Sequence, residues 1–187
     1  TWAEEKKRVL LIDADLRRPT VHRTFNVSNR YGLSNIITSS ANTVNISEMI
    51  DKTEIKNLDV LTSGPTPPNP AELLGSDRLS QLLNFLKEKY DFIILDAPPV
   101  DTVTDGQVVA SRADGVALVV PQGIATKDAV MRAVKLLQRV NANILGVIMN
   151  RFTAQEAGGY YGNYYGGSYY GTDDSSSRKG SKKRGRK

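Results

Sequence analysis

Five short, almost wholly apolar runs punctuate the first 150 positions: "RVLLI" (8–12), "LDVLT" (58–62), "FIIL" (92–95), "GVALVV" (115–120) and "ILGVIM" (144–149). None alternates apolar with polar residues, so each reads as a strand covered on both sides rather than one with a wet face. Between them the period lengthens to that of a helix. "SDRLSQLLNFLKEKY" (76–90) sets Leu79, Leu82, Leu83 and Leu86 on one face behind a Ser76 cap. "TKDAVMRAVKLLQRV" (126–140) does the same with Val130, Ala133, Val134 and Leu137, with Thr126 as cap and Asp128 near the positive helix end. Alternating strands and helices predict an α/β fold: a mostly parallel sheet with helices on both faces and right-handed crossovers. Ligands of such sheets sit at the carboxyl ends of the strands.

The pattern stops at Phe152, after which no Val, Leu, Ile, Met, Phe or Trp occurs. The expected division is therefore a folded domain over 1–152 and a tail over 153–187, too poor in apolar area to offset the entropy of ordering. This predicts a mobile tail. Within it "GGYYGNYYGGSYYG" (158–171) holds six of the eight tyrosines, expected to be exposed on a glycine-rich leash.

Charge is divided in the same way. The net charge is +5, but "RKGSKKRGRK" (178–187) alone holds seven of the 25 basic residues and no acid. Removing those seven leaves 18 basic against 20 acidic residues, so the folded part is slightly acidic and the basicity belongs to the end of the tail. Solvated disorder is the default for such a run, attraction to anionic lipid comes second and nucleic acid third. There is no cysteine, hence no disulfide, thiolate nucleophile or thiolate metal site, and the single histidine, His22, makes a transition-metal site a poor fit. The apolar runs are far too short to cross a bilayer, and "TWAEEKKR" lacks an apolar signal core. A cytoplasmic setting is expected.

Two strands end in acids. "VLLIDADLRRP" (9–19) leaves through Asp13 and Asp15 with Arg17 and Arg18 behind, and "FIILDAPP" (92–99) leaves through Asp96. Acids converging at the ends of neighbouring buried strands repel unless a cation lies between them, and Mg²⁺ with a polyphosphate suits that place. Capping of the following helix is the alternative for any one of these residues. "GPTPPNPAELLGS" (64–76) has a local explanation too: Asn69 caps a short helix, Pro70 takes its first position and Glu72 completes a capping box. Phe85 and Trp2 are assigned to packing.

"LLIDADLRR" resembles the second nucleotide motif, and "FIILDAPP" the Walker B motif, of the bacterial tyrosine kinases (BY-kinases) of the CpsD-like type that act in capsule and exopolysaccharide synthesis. "SGPTPPNPAELL" and the C-terminal tyrosine cluster are similar to that family's other marks. The resemblance implies a P-loop NTPase-like domain that transfers the γ-phosphoryl of Mg-ATP to tyrosine. It implies that Asp13 lies nearest the attacking hydroxyl, that Asp15 assists at the metal and that Asp96 holds Mg²⁺. It places Arg17 near the phosphates or a neighbouring subunit, and Asn150 with Arg151 at the nucleotide base. Tyr160, Tyr161, Tyr164, Tyr165, Tyr169 and Tyr170 would be acceptors, phosphorylated in trans within a homo-oligomeric ring. A membrane-bound adaptor of the polysaccharide co-polymerase type would hold the kinase at the inner face of the membrane, and no nucleic acid is expected.

One element departs from the family. No G-x-x-x-x-G-K-[ST] loop occurs in the 187 residues, although its amides and lysine hold the β and γ phosphates. The expectation is an incomplete chain that begins near the end of the first helix, binds nucleotide weakly and does not phosphorylate itself. Two other readings share parts of the pattern. A partition-type (ParA/MinD-like) regulatory ATPase would use the three acids but not the tyrosines, and a non-catalytic scaffold would use the Tyr/Gly tail alone. Charge adds a consequence for the tail, whose 153–187 segment carries +4. Six phosphotyrosines would add about −9 to −12 and reverse its sign.

Overall fold

The computed structural model describes residues 3–39 and 45–151. The six clustered tyrosines, the basic end and Trp2 lie outside the described residues. Thr1–Asn150 form one compact unit. In chain order it comprises β1 (Val9–Asp13), α1 (Val21–Thr24), α2 (Leu33–Thr38), a 3-10 turn (Ile46–Met49), β2 (Asp51–Lys52), β3 (Leu58–Leu61), α3 (Pro70–Leu74) and α4 (Asp77–Lys87). It continues with β4 (Phe92–Asp96), α5 (Asp105–Ala110), β5 (Val116–Pro121), α6 (Lys127–Arg139) and β6 (Ile144–Asn150).

All five apolar runs are strands, and each pairs in parallel with at least one other of the five, in two separate sheets. The first sheet has the order β2-β3-β1-β4, with β1 parallel to both β3 and β4 and only the two-residue β2 antiparallel. The second is the parallel pair β5-β6. Among the described residues one edge of β4 and one edge of β5 therefore carry no strand. The chain leaves β1 for β3 on one side and returns to β4 on the other, which opens a crevice at the carboxyl end of β1.

Alternation along the strands turns Leu10, Ile12, Leu61, Ile93 and Leu95 to one face. There they meet Leu33 and Ile37 of α2, Leu74 of α3, the four predicted leucines of α4 and Val109 of α5. This cluster is the core, and Leu10, Ile12, Leu61, Leu74 and Leu86 are completely buried in it. The apolar positions of β5 and β6 are much barer: Val119, Val147, Ile148 and Met149 are about half exposed and Leu145 is 71% exposed.

Local chemistry follows the sequence reading in part. Thr126 caps α6 through a hydrogen bond from Ala129 N. Ser76 does stand at the N-cap of α4, but its Oγ donates backward to Leu73 O at 2.6 Å instead of accepting from the helix. Pro70 occupies the first turn of α3, whereas Asn69 and Glu72 form no capping box. The Asn69 amide donates directly to Glu72 Oε2 at 2.6 Å, which spends both side chains on each other. Phe85 is 38% exposed and lies under the Lys89 ammonium, 4.4 Å from its ring centre, so it is a surface residue rather than a packing one.

At the amino end of the first sheet, Asp59 of β3 is buried and accepts two hydrogen bonds on one oxygen, from Tyr90 Oη (2.8 Å) and Lys52 Nζ (2.6 Å). Burial, and then the neighbouring Asp59 carboxylate, push the Tyr90 hydroxyl well above its ordinary value near 10. The unfolded chain thus releases this proton at lower pH than the folded chain does. The Tyr90 contribution to stability is full below about pH 10 and is lost as pH rises beyond it. Tyr90→Phe is expected to cost about 1 kcal/mol at neutral pH, and its deficit relative to the parent should shrink above pH 10. Thermal unfolding of the two proteins between pH 7 and 11 measures this.

Candidate functional site

The parallel register pairs Asp13 of β1 with Asp96 of β4, so the last residues of two neighbouring strands are both acids on the same side of the sheet. The Ala14 amide donates to Asp96 O at 2.8 Å and carries the pairing one residue beyond the strand. Asp15 follows at the crevice, half-buried. The three acids feel one another. Burial raises the Asp13 carboxyl above its ordinary value, the Val21 amide opposes this, and the charge of Asp96 raises it further. Asp96 is raised first by partial desolvation and then by the charge of Asp15.

Their roles in the structure are unequal. Asp13 is fully buried, and its carboxylate is taken up by the loop that follows: Oδ1 accepts from Asp15 N (3.2 Å), and Oδ2 from Thr20 N (3.1 Å) and Val21 N (3.0 Å). Three amides on one carboxylate fix the β1–α1 loop and the start of α1. Asp15 repeats the device on a smaller scale, its Oδ1 accepting from Arg17 N (3.1 Å) and Arg18 N (2.9 Å). Asp96 is exposed.

Asp13, Asp15 and Asp96 are expected from the sequence to share a metal, and the structure distinguishes them by how far their oxygens are already engaged. Among the described residues no three His, Cys, Asp or Glu side chains converge as a metal-ligand group. Asp13 spends its oxygens on backbone donors. The donor set that stays open, Asp96 with Asp15 near it, nevertheless fits Mg²⁺. That ion is usually held by one or two carboxylates, with water and substrate phosphates completing an octahedron.

Arg17 is engaged elsewhere. Its Nε and Nη2 donate to Oδ2 (2.7 Å) and Oδ1 (3.1 Å) of Asp105, a completely buried residue at the start of α5. This forked pair ties the β1–α1 loop to α5 and turns the guanidinium toward the protein. Gly106, the next residue, is required by proximity: a Cβ there would lie 2.7 Å from Pro98 O, in the loop that leaves Asp96. Asp105 and Gly106 thus hold the two acidic loops against one helix. Neither was foreseen, because a partner 88 positions away leaves no local pattern.

Asn150 closes β6, opposite Pro121, and its carbonyl accepts from Gln122 N at 2.9 Å. Arg151 follows with a left-handed backbone, φ 59. Both lie on the second sheet's side of the sequence, and the acids on the first.

With the site described, the chain can be set beside known proteins. The family model described as an AAA domain matches residues 1–145. The putative tyrosine-protein kinase CapB of Staphylococcus aureus is 40% identical over 164 residues, which cover 88% of this chain and 71% of CapB. The chain belongs to the bacterial tyrosine-protein kinase family. Solved structures agree. The chimerical protein CapA2B2 superposes with a TM-score of 0.75 at 40% identity, over 81% of this chain and 66% of that one. The kinase domain of Escherichia coli tyrosine kinase ETK gives 0.74 at 38% identity, over 81% and 59%. The chain thus spans a little under two thirds of these two solved chains. The α/β architecture with its mostly parallel sheet is that of this P-loop NTPase-like family. Among the described residues no helix is long and apolar enough to cross a membrane.

A raised carboxyl signals that the fold bears a charge it disfavours. For Asp96 the penalty is complete at neutral pH and is relieved as pH falls through its folded value toward its ordinary one. In metal-free buffer Asp96→Asn is therefore expected to unfold at a higher temperature than the parent at pH 7. The difference should close as the pH approaches 4. A calorimetric pH series checks this.

Proposed function

We propose that the protein is the catalytic portion of an ATP-dependent tyrosine kinase that phosphorylates its own C-terminal tyrosine cluster in trans and regulates capsule or exopolysaccharide synthesis. The observation that carries the reading is the register-enforced pairing of Asp13 with Asp96 at the mouth of the sheet, in a chain whose relatives are named tyrosine-protein kinases and which ends in six closely spaced tyrosines.

In this reading Asp13 is a positioning group, since its oxygens organise the loop that presents Asp15. Asp96 and Asp15 are the carboxylates that would hold Mg²⁺, directly or through water. The ion would neutralise charge on the β and γ phosphates. The acceptor tyrosine oxygen forms a bond to the γ-phosphorus while the bond to the β–γ bridging oxygen breaks. ADP leaves, and the hydroxyl proton passes to the acidic cluster. Positioning and charge neutralisation supply most of the rate. Arg17 acts by locking the loop to α5 through Asp105. Asn150 and Arg151 serve the nucleotide base. No G-x-x-x-x-G-K-[ST] loop lies within residues 1–187, so the reading requires other residues to hold the phosphates. The enzyme works as a homo-oligomeric ring recruited to the inner face of the membrane by an adaptor.

The test has two arms. In cells that make the protein from its own gene, Asp96→Asn is expected to abolish phosphotyrosine on the cluster, and deletion of 158–171 to remove the acceptors. Persistence of phosphotyrosine in Asp96→Asn rejects the kinase reading. An intact cellular function after deletion of 158–171 favours a partition-type ATPase instead. Purified residues 1–187 alone should incorporate no ³²P from labelled ATP.

A further inference from the structure

A second concavity lies at the opposite end of the first sheet from the acids. Its walls come from residues at the amino ends of three parallel strands: Arg8 before β1, Asn57 and Leu58 at β3, and Lys89 and Tyr90 before β4, together with Lys52 and Lys56. The length of β1, Val9–Asp13, separates it from the acids, roughly 15 Å at the rise of an extended chain. Its volume is about 520 Å³, inside the ~300–1,000 Å³ range of small-ligand sites.

Four cations, Arg8, Lys52, Lys56 and Lys89, line it against one acid, Asp59. That acid is already neutralised within the wall, by Lys52 and by the Tyr90 hydroxyl. Arg8 is paired with Asp91 at the surface, through its amide at 2.7 Å and its guanidinium at 3.6 Å. Among the described residues Lys56 and Lys89 have no carboxylate within ion-pair distance. Lys56 and Lys89, the latter resting over the Phe85 ring and near Ser47 Oγ, are thus the two cations without a carboxylate around this hollow, and two such charges suit a doubly charged anion better than a single carboxylate. Leu58, Ile55 and the Tyr90 ring add an apolar wall, which a bare inorganic anion would not use but an aromatic ring would.

We propose that this pocket binds phosphotyrosine, the product of the reaction assigned above, presented by another polypeptide. The proposal rests on the kinase reading for its biological meaning but not for its measurement. Recognition would depend on phosphorylation by simple charge. The unmodified 153–187 segment carries +4 and is repelled by a basic hollow, whereas about −1.5 to −2 per phosphate makes it attractive. The sheet would then carry out phosphorylation at one end and recognise its outcome at the other.

The test uses the unphosphorylated 187-residue chain and fluorescent synthetic peptides of sequence 158–171, with and without phosphate on the tyrosines, followed by anisotropy. The phosphopeptide should bind and the unmodified peptide should not. Free O-phosphotyrosine should compete at lower concentration than inorganic phosphate. Lys56→Gln and Lys89→Gln should each weaken binding by about tenfold, the loss of one charge-assisted contact, and Lys56→Arg should retain it. Both positions are surface lysines, and unchanged unfolding temperatures would confirm that the fold is intact. Equal binding of the two peptides overturns the proposal, as does unchanged affinity in the double Lys→Gln variant. It is also overturned if inorganic phosphate or phosphatidylserine vesicles compete as well as phosphotyrosine, which would mark a general anion or membrane surface. The phosphate is introduced by synthesis, so failure here leaves the kinase reading standing. Loss of that reading in cells would leave the binding measurement valid.

Discussion

A single buried carboxylate organises the business end of this molecule. Asp13 gives up its freedom to three backbone amides, and in exchange the loop between β1 and α1 has one conformation. A buried carboxylate is tolerable only when its oxygens are satisfied, and here the donors are the loop itself, so the loop cannot relax without stranding the charge. Everything nearby inherits that order. Asp15 is aimed into the crevice, Arg17 is placed to fork onto Asp105, and parallel register brings Asp96 alongside. The arrangement explains why one acid of the trio is sealed while another stands open. A carboxylate that organises a loop and one that stays available to solvent need opposite environments, and paired positions on neighbouring strands provide both.

The two ends of the first sheet differ in sign. The carboxyl end gathers Asp13, Asp15 and Asp96, and the amino end gathers Arg8, Lys52, Lys56 and Lys89. Parallel topology makes such segregation possible, because the starts of β1, β3 and β4 fall on one side and their ends on the other, while the antiparallel β2 adds Lys52 to the first. A chain of near-neutral folded part can therefore present strongly charged surfaces, which the overall composition conceals.

The strands were legible because each is a dense apolar run, and they fall within one or two residues of the expected limits, but the expected cover on both sides does not hold for β5 and β6, whose apolar side chains are largely bare among the described residues. The α4 face was legible for the same reason in helical period, with Leu79, Leu82, Leu83 and Leu86 all buried. Short elements were not: α1, α2 and α5 span four to six residues, less than two turns, and show no period. Side-chain chemistry was legible only where one partner is possible. Thr126 had no competitor for the α6 cap, but Ser76 and Asn69 each found a neighbour they bonded instead. The acids at the strand ends could be read as a group, since strand ends converge by topology. That Asp13 would face inward to the backbone, and that Arg17 would choose Asp105, depends on loop geometry that the sequence pattern does not express.

The division of the strands into two sheets has a physical outcome of its own. Among the described residues one margin of β4 and one margin of β5 present rows of amides and carbonyls without a strand beside them, and the apolar side chains of β6 are bare. Such margins accept any extended segment that offers complementary donors and acceptors. At high concentration the readiest supply is another molecule of the same kind, so these margins favour self-association by strand addition.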